Sequence, residues 1–426
     1  MSEWQTSTLR SLCSEVVDCP HSTPKWTESG VLVLRSQNIR LGKLDLSKKS
    51  YTDEATYELR SRRARLQAED LVITREAPMG EVCIVPANLK CCLGQRMVLL
   101  RPDRQLCQPK FLLYVIQSSE VQHQILMNEG TGSTVSNLRI PVLESLQIPC
   151  PPLHEQKAIA HILGTLDDKI DQLRKTNSVL EDMASALFKS WFVDFDPVKA
   201  KQENIPTGLP KDLDELFPDS FEDSALGPIP KGWRVAGLAS TGEFLNGLAL
   251  QKYPGDVLPV IKIPQLRQNS TEGADKCSDG IAPQYVIDDG DLLFSWSGTL
   301  VAGWWTAGKG ALNQHLFKVS SGELSLVMLK HWIDHHLPWF RLVASSKAVT
   351  MGHIKRSHLD EAKVVIPAMA LNDHAQTILA DYRDKFIANG KHIRTLTNLR
   401  DTLLPKLISG DLRVPEAEQM VAELGL

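Results

Sequence analysis

The sequence predicts an α+β protein: two mixed α/β lobes related by internal duplication, with two long helices that pair as a coiled coil. Three observations predict it. The chain reads nearly the same twice at an offset of about 220 residues, a period far too long for a short-repeat array. β-Rich runs fill the first part of each unit. Apolar residues spaced 3, 4, 3, 4 fill the second.

The duplication shows in collinear pairs. Trp4-Gln5-Thr6-Ser7-Thr8-Leu9 is echoed by Trp233-Arg234-Val235-Ala236-Gly237-Leu238. Val31–Arg40 faces Val257–Arg267 with one extra residue, and Glu69–Thr74 faces Gly290–Ser295. Leu93-Gly94-Gln95-Arg96 corresponds to Leu312-Asn313-Gln314-His315, and Ile148-Pro149 to Ile366-Pro367. Within the lobes, Val31–Leu34 and Val82–Val85 read as strands, and Pro109–Met127 and Ser325–Leu337 as helices.

The first apolar seam runs Leu163, Leu166, Ile170, Leu173, Asn177, Leu180, Ala184, Leu187, Trp191. The second runs Leu379, Tyr382, Phe386, Asn389, Ile393, Leu396, Arg400, Leu403, Leu407, at a constant offset of 216. Such spacing favours helix packed on helix over a helix lying only on its own lobe. Arg400 and Pro405 weaken the end of the second seam. Pro149–Pro152 stops the preceding lobe, while Pro197 and the stretch Ile205–Pro230 end the first helix and let the chain return. A helix of this length is roughly 55 Å long at 1.5 Å per residue, which suits a spacer. The predicted divisions are 1–150 and 231–370 for the lobes, 151–200 and 371–412 for the helices, 201–230 for an acidic linker and 413–426 for a tail.

The 426 residues are enough for two to three domains. With 42% hydrophobic and 23% charged residues, a disordered or collagenous chain is excluded. Net charge is −4, but it is unevenly spread. Residues 202–228 carry −6, whereas 1–150 and 231–370 are each +2. Two mildly basic lobes around an acidic linker permit a polyanion partner. Seven of the eight cysteines fall in the first 150 residues without a C-x-x-C pair, which favours reduced thiols over zinc or a disulfide scaffold. The start lacks a signal-peptide pattern, and the uncharged run Leu292–Gly308 is short and polar for a membrane span. A soluble cytoplasmic protein is expected.

No catalytic motif survives inspection. Gly303–Gly310 mimics a P-loop, but Gly310 stands where a magnesium-binding hydroxyl belongs, and the stretch reads better as a β-hairpin. His331, His335 and His336 lack the glutamate of a zinc helix. Gly130-Thr131-Gly132 does not continue as a dinucleotide fingerprint, and no Asn/Asp-Pro-Pro-aromatic tetrapeptide occurs. The expectation is no catalytic residue and no metal site.

Recognition chemistry is better represented. Arg60, Arg62, Arg63 and Arg65 form a basic knot after a helix starting near Thr52; guanidinium groups suit phosphates and guanine O6/N7, although a solvated helix end would look the same. Arg35, Gln37, Asn38 and Arg40 in the first unit combine amides with bases, as do Lys262, Gln265, Arg267, Gln268 and Asn269 in the second. Amides can contact adenine while Arg or Lys takes guanine or backbone, and a polar loop after a strand is the alternative. Unlike side chains at matching positions point to two different half-sequences.

These features resemble the specificity (S) subunit of type I restriction-modification systems, over essentially the whole chain. The resemblance is carried by Ile148–Ala160 (IPCPPLHEQKAIA) followed by Leu166-Asp167-Asp168-Lys169-Ile170. Gly130–Leu138, Pro228–Trp233 and Leu407–Leu412 add to it. The second unit departs from the pattern: Ala370-Leu371-Asn372-Asp373-His374 replaces Leu153-His154-Glu155-Gln156, and Ser346–Ile354 matches the Gly130–Leu138 segment only loosely. The resemblance implies two mixed α/β target-recognition domains separated by two long antiparallel coiled-coil helices, a pseudo-twofold duplication that reads the halves of an asymmetric bipartite site in double-stranded DNA. It also implies two methyltransferase (M) subunits that use S-adenosylmethionine on adenine N6, and motor-nuclease (R) subunits that use ATP and magnesium. This chain itself would hold no cofactor. The competing expectations are a DNA methyltransferase or nuclease with an unrecognised site, and a protein-interaction scaffold that does not bind DNA.

Overall fold

The structure, a computed structural model, describes residues 4–127, 137–346 and 352–425. Residues 130–136 of the Gly-Thr-Gly segment and 347–351 of its counterpart lie outside the described residues. The chain divides into two compact units, 1–169 with 396–426 and 170–395. Each unit therefore takes one lobe and a portion of both long helices, so its boundaries fall inside the helices and not at the lobe ends.

In the first unit, an antiparallel sheet has the order Cys13–Asp18, Met97–Pro102, Leu71–Thr74, Val82–Ile84. A second sheet has the order Cys91–Leu93, Val31–Leu34, Tyr51–Thr52, Trp26–Thr27, and its first pair is parallel. Every residue of Val31–Leu34 and Leu71–Thr74 is buried, as expected of strands written as continuous apolar runs. The second unit repeats the plan. Gly242–Asn246, Leu316–Ser321, Leu292–Ser295 and Ala302–Trp304 form the antiparallel sheet. Leu258–Ile261 pairs parallel with Gly310–Leu312 in the other.

The equivalence reaches single hydrogen bonds. Thr6–Thr8 pairs with Gln147–Pro149, and Arg234–Gly237 with Lys363–Ile366. Leu9 N donates to Leu146 O and Leu238 N to Ala362 O, both at 2.9 Å, and both leucines are buried. Glu69 and Gly290 share a left-handed backbone, with φ of 68° and 95°. The next residues, Asp70 and Asp291, accept from the Gln67 and Asp288 amides and pair with Arg101 and Lys318 respectively.

The long helices are Leu153–Phe192 and Met369–Ser409. Phe195, at φ 58°, and Pro197 in the next short helix bring the chain out of the first. Gly410, at φ 83°, follows the second in the left-handed conformation favoured after a helix end. Pro405 lies inside a helix that continues to Ser409, so the disturbance expected there does not end it. Within the second unit the helices run antiparallel: Asn389 Nδ2 donates to Asn177 Oδ1 at 2.8 Å, and Asn177 Nδ2 to Phe386 O at 3.2 Å. Within the first unit Arg400 reaches Asp167 at 2.8 Å, and Tyr114 donates its hydroxyl to the same carboxylate at 2.6 Å. Arg400 thus occupies its seam position by ion pairing.

Lobes and helices share cores. In the second unit Phe188 and Phe192 pack with Trp233, His331 and Trp332. Thr306 lies so close to Gly390 that a Cβ there would stand 2.6 Å from the threonine Cβ. Beside it Arg394 grips Asp289 with two hydrogen bonds of 2.7 and 2.8 Å. In the first unit Gln156 is buried, accepting from Gln108 N and donating to Leu106 O and Pro151 O. Its counterpart, one methylene shorter, is Asn372, whose buried Oδ1 has no partner.

Candidate nucleic-acid interface

In each lobe the parallel strand pair ends in the same construction. In the first, Gly94 N donates to Leu34 O at 2.7 Å, and a Cβ on Gly94 would meet that oxygen at 2.5 Å. Immediately beyond are Arg35 and the dipeptide Gln95-Arg96. The Arg35 guanidinium lies 5.3 Å from the Trp26 ring centroid, a cation–π contact on an exposed surface. Gln95 Nε2 donates to His21 O at 2.6 Å. Arg96 is exposed, has a left-handed backbone at φ 67° and pairs with Glu76 at 3.0 Å.

The His21 turn is held from beneath by Arg60. Its guanidinium donates to Pro20 O, Ser22 O and Leu93 O at 2.8–2.9 Å, and the residue is 6% exposed. Burial lowers its pKa. Arg60 therefore belongs to the framework. Arg62 and Arg63 are exposed and have no acidic partner among the described residues, and Arg63 borders a small cleft with Asp18, Pro20 and Leu93. Arg65 is exposed but holds Glu58 at 2.6 Å. The basic knot thus divides into one inward residue, two free cations and one ion-paired residue.

The polar loop divides likewise. Arg35, Gln37 and Arg40 are exposed. Asn38 is fully buried: its Oδ1 accepts from Arg35 N and its Nδ2 donates to Asp45 O and Lys48 O. In the second lobe Gln265 repeats this bond, accepting from Lys262 N at 3.3 Å. Lys262 pairs with Asp275. Arg267 and Gln268 are exposed. Asn269 turns inward, donating to Trp304 O and Thr306 Oγ1 and accepting from Thr306 N. Asn38, Arg60, Gln265 and Asn269 are therefore committed to the fold, and the surface is left to their neighbours.

Beyond the second parallel pair, Asn313 N donates to Ile261 O at 3.3 Å and Gln314 N to Leu248 O at 2.9 Å. The half-buried His315 has its Nδ1 2.9 Å from Ser297 Oγ and its ring 5.7 Å from that of Trp296. Trp296 Nε1 in turn donates to Gln314 O at 3.0 Å. His353 meets the Trp296 ring edge-on. Gln95, Arg96, Gln314, His315 and Trp296 did not appear among the sequence-derived interface residues. The signal was present, because Leu93–Arg96 and Leu312–His315 were already matched as repeats.

Among the described residues, the motifs weighed for catalysis are placed as follows. Ala302–Trp304 and Gly310–Leu312 belong to different sheets, so the hairpin expected across Gly303–Gly310 is corrected. The parallel partner of Gly310–Leu312 lies some fifty residues upstream, outside the reach of a local pattern. His331 is buried against Phe188. All eight cysteines are free, and burial pushes Cys13, Cys83 and Cys91 up to about 12. Among the described residues no cluster of three or more His, Cys, Asp or Glu could hold a metal, and no helix is long and apolar enough to cross a membrane.

Two related lobes with equivalent strand pairing, each built with portions of both long helices, define an internally duplicated architecture. Residues 1–182 match the family model of the type I restriction modification DNA specificity domain. The chain is 28% identical over 363 residues to the type I restriction enzyme MjaIX specificity subunit of Methanocaldococcus jannaschii, covering 81% of this chain and 78% of that protein. It is 24% identical over 374 residues to the HindI specificity subunit of Haemophilus influenzae, covering 75% and 81%. The fold is shared with the crystal structure of the type I restriction-modification S subunit from M. genitalium, at a TM-score of 0.53 and 16% identity over 96% of both chains. Residues 1–182 thus carry a type I restriction modification DNA specificity domain, and over most of its length the chain is similar to type I restriction enzyme specificity subunits.

Proposed function

We propose that this protein is the DNA-specificity subunit of a type I restriction-modification complex, with each lobe reading one half of an asymmetric bipartite site. The observation that carries this reading is the equivalence of the lobes in backbone hydrogen bonding together with the divergence of the exposed or half-buried polar side chains at the end of each frame. A common frame presents Arg35, Gln95 and Arg96 in one lobe and Lys262, Gln314 and His315 in the other. Cations such as Arg62 and Arg63 neutralise phosphates and set position, while amides and guanidinium groups at the frame's end select bases. The number of turns in the paired helices sets how many base pairs between the half-sites go unread.

The chain contributes address and not bond-making. Two methyltransferase subunits would bind S-adenosylmethionine and methylate adenine N6 in each half-site, and motor-nuclease subunits would use ATP and magnesium on unmodified DNA. Methylation mapping in cells that express this chain with its methyltransferase partner tests the proposal. A split, asymmetric adenine motif that disappears on deletion of this chain supports it. A motif that persists without the chain, or DNA modification by the purified chain alone, overturns it.

A further inference from the structure

We propose that Arg96 and His315, each preceded by a glutamine, are the equivalent positions at which the two lobes read different bases. This inference rests on the DNA-specificity reading above and names residues within it. Both positions are fixed by the same backbone bond: Arg75 N donates to Arg96 O at 2.8 Å, and Trp296 N to His315 O at 3.3 Å. Both follow the strand whose parallel partner ends at Leu34 or Ile261. The frame dictates where the residue stands but leaves its chemistry open.

That chemistry differs in a way DNA can register. Arg96 is more than half exposed, and its tie to Glu76 is a surface ion pair, which contributes little to stability. Its backbone at φ 67° is a conformation where glycine would be the easier choice. A long cationic side chain held there is costly for the fold, and the cost is explained if the guanidinium is used. A planar fork of donors matches guanine O6 and N7. His315 offers a compact ring instead. Gln314 Nε2 lies 3.4 Å from His315 Nε2. Nδ1 is held at 2.9 Å from Ser297 Oγ, which orients the ring, and the longer Nε2 contact leaves one ring nitrogen for a base where Arg96 offers a two-pronged fork. Gln95 and Gln314 are identical amides beside unlike neighbours, suited to a feature both half-sites share, such as an A·T pair.

The test uses the complete chain in complex with its methyltransferase partner, with methylation motifs mapped for Arg96→His, Arg96→Lys and His315→Arg. Arg96→Lys keeps the charge, the capacity to pair with Glu76 and any phosphate contact, and loses only the fork. Both Arg96 variants are expected to relax one or two base positions in one half-site, lowering preference for guanine there by about 5- to 150-fold. His315→Arg is expected to alter only the other half-site. Unchanged base preference in all three variants, or restoration of the wild-type motif by lysine, overturns the assignment. A wild-type complex without any bipartite motif would overturn the underlying reading instead.

Discussion

Replacing Arg60 with alanine, beside the double replacement Arg62→Ala and Arg63→Ala, separates framework from interface within six residues of sequence. Arg60 gives three hydrogen bonds to the carbonyls of Pro20, Ser22 and Leu93 and is 6% exposed. Hydrogen bonds from a charged donor are worth about 1.5–3 kcal/mol each, and bonds that share one side chain do not add fully. A loss of roughly 3–5 kcal/mol from the first unit is expected. For a unit of roughly 200 residues, such a loss lowers Tm by about 6–20 °C. Arg62 and Arg63 touch no acidic partner among the described residues, so their removal should change stability by under about 0.5 kcal/mol. If each makes one phosphate contact, as proposed, each contributes about 0.9 to the slope of log K against log salt, and losing two is expected to flatten it by about 1.8. Hydrogen exchange over residues 19–25 and 91–96 follows the first effect, and DNA titrations of the methyltransferase complex between 50 and 200 mM salt follow the second. An Arg60→Ala variant that melts like wild type, or a double variant with an unchanged slope, would refute the division.

Burial holds His331 down at about 3 from an ordinary 6.5. The unfolded chain takes up that proton first, so the stability involved is present above pH 6.5 and drains as pH falls towards about 3, by up to about 1.4 kcal/mol per pH unit. Melting of the second unit should be lower at pH 5 than at pH 7.5, and His331→Leu should reduce that difference; equal pH dependence in wild type and variant would count against it. Asn372→Gln, which restores the reach of Gln156, should raise stability by about 1 kcal/mol in denaturant titrations. Gly390→Ala would ordinarily gain about 1 kcal/mol in a helix interior, but here the Cβ meets Thr306, so a loss of about 1–3 kcal/mol is expected from the same titration. Asn177→Leu alone should cost about 1–3 kcal/mol by stranding Asn389, and adding Asn389→Leu should recover it in a double-mutant cycle.

The long helices and the duplication could be read directly, because both depend on periodicity in the chain itself. Leu163, Leu166 and Ile170 announce a buried face through their spacing alone, and all three are buried. The facing of individual polar side chains could not be read this way. Arg60 and Arg62 are identical in sequence, and what turns Arg60 inward is a trio of carbonyls supplied by residues about 30–40 positions away. Asn269 goes inward for the same reason, since Trp304 and Thr306 come from a distant strand and its following loop. The hairpin expected across Gly303–Gly310 fails for a related cause: Gly310–Leu312 pairs with Leu258–Ile261 and Val286–Ile287, both well upstream, and not with Ala302–Trp304.

Duplication also supplies a criterion for which polar residues carry specificity. Where both copies keep the same chemistry in the same bond, the residue serves the fold. Asn38 and Gln265 are both amides that accept a backbone N–H three residues earlier, and Asp70 and Asp291 are both carboxylates bound to a cation of the facing strand. Where the copies keep the backbone bond but change the side chain, the frame has no stake in the side chain's identity, and selection by a ligand can act on it freely. Arg35 against Lys262 and Arg96 against His315 meet that condition. At such positions the backbone bonds common to both lobes hold the frame, so a substitution changes the chemistry presented and leaves those bonds in place.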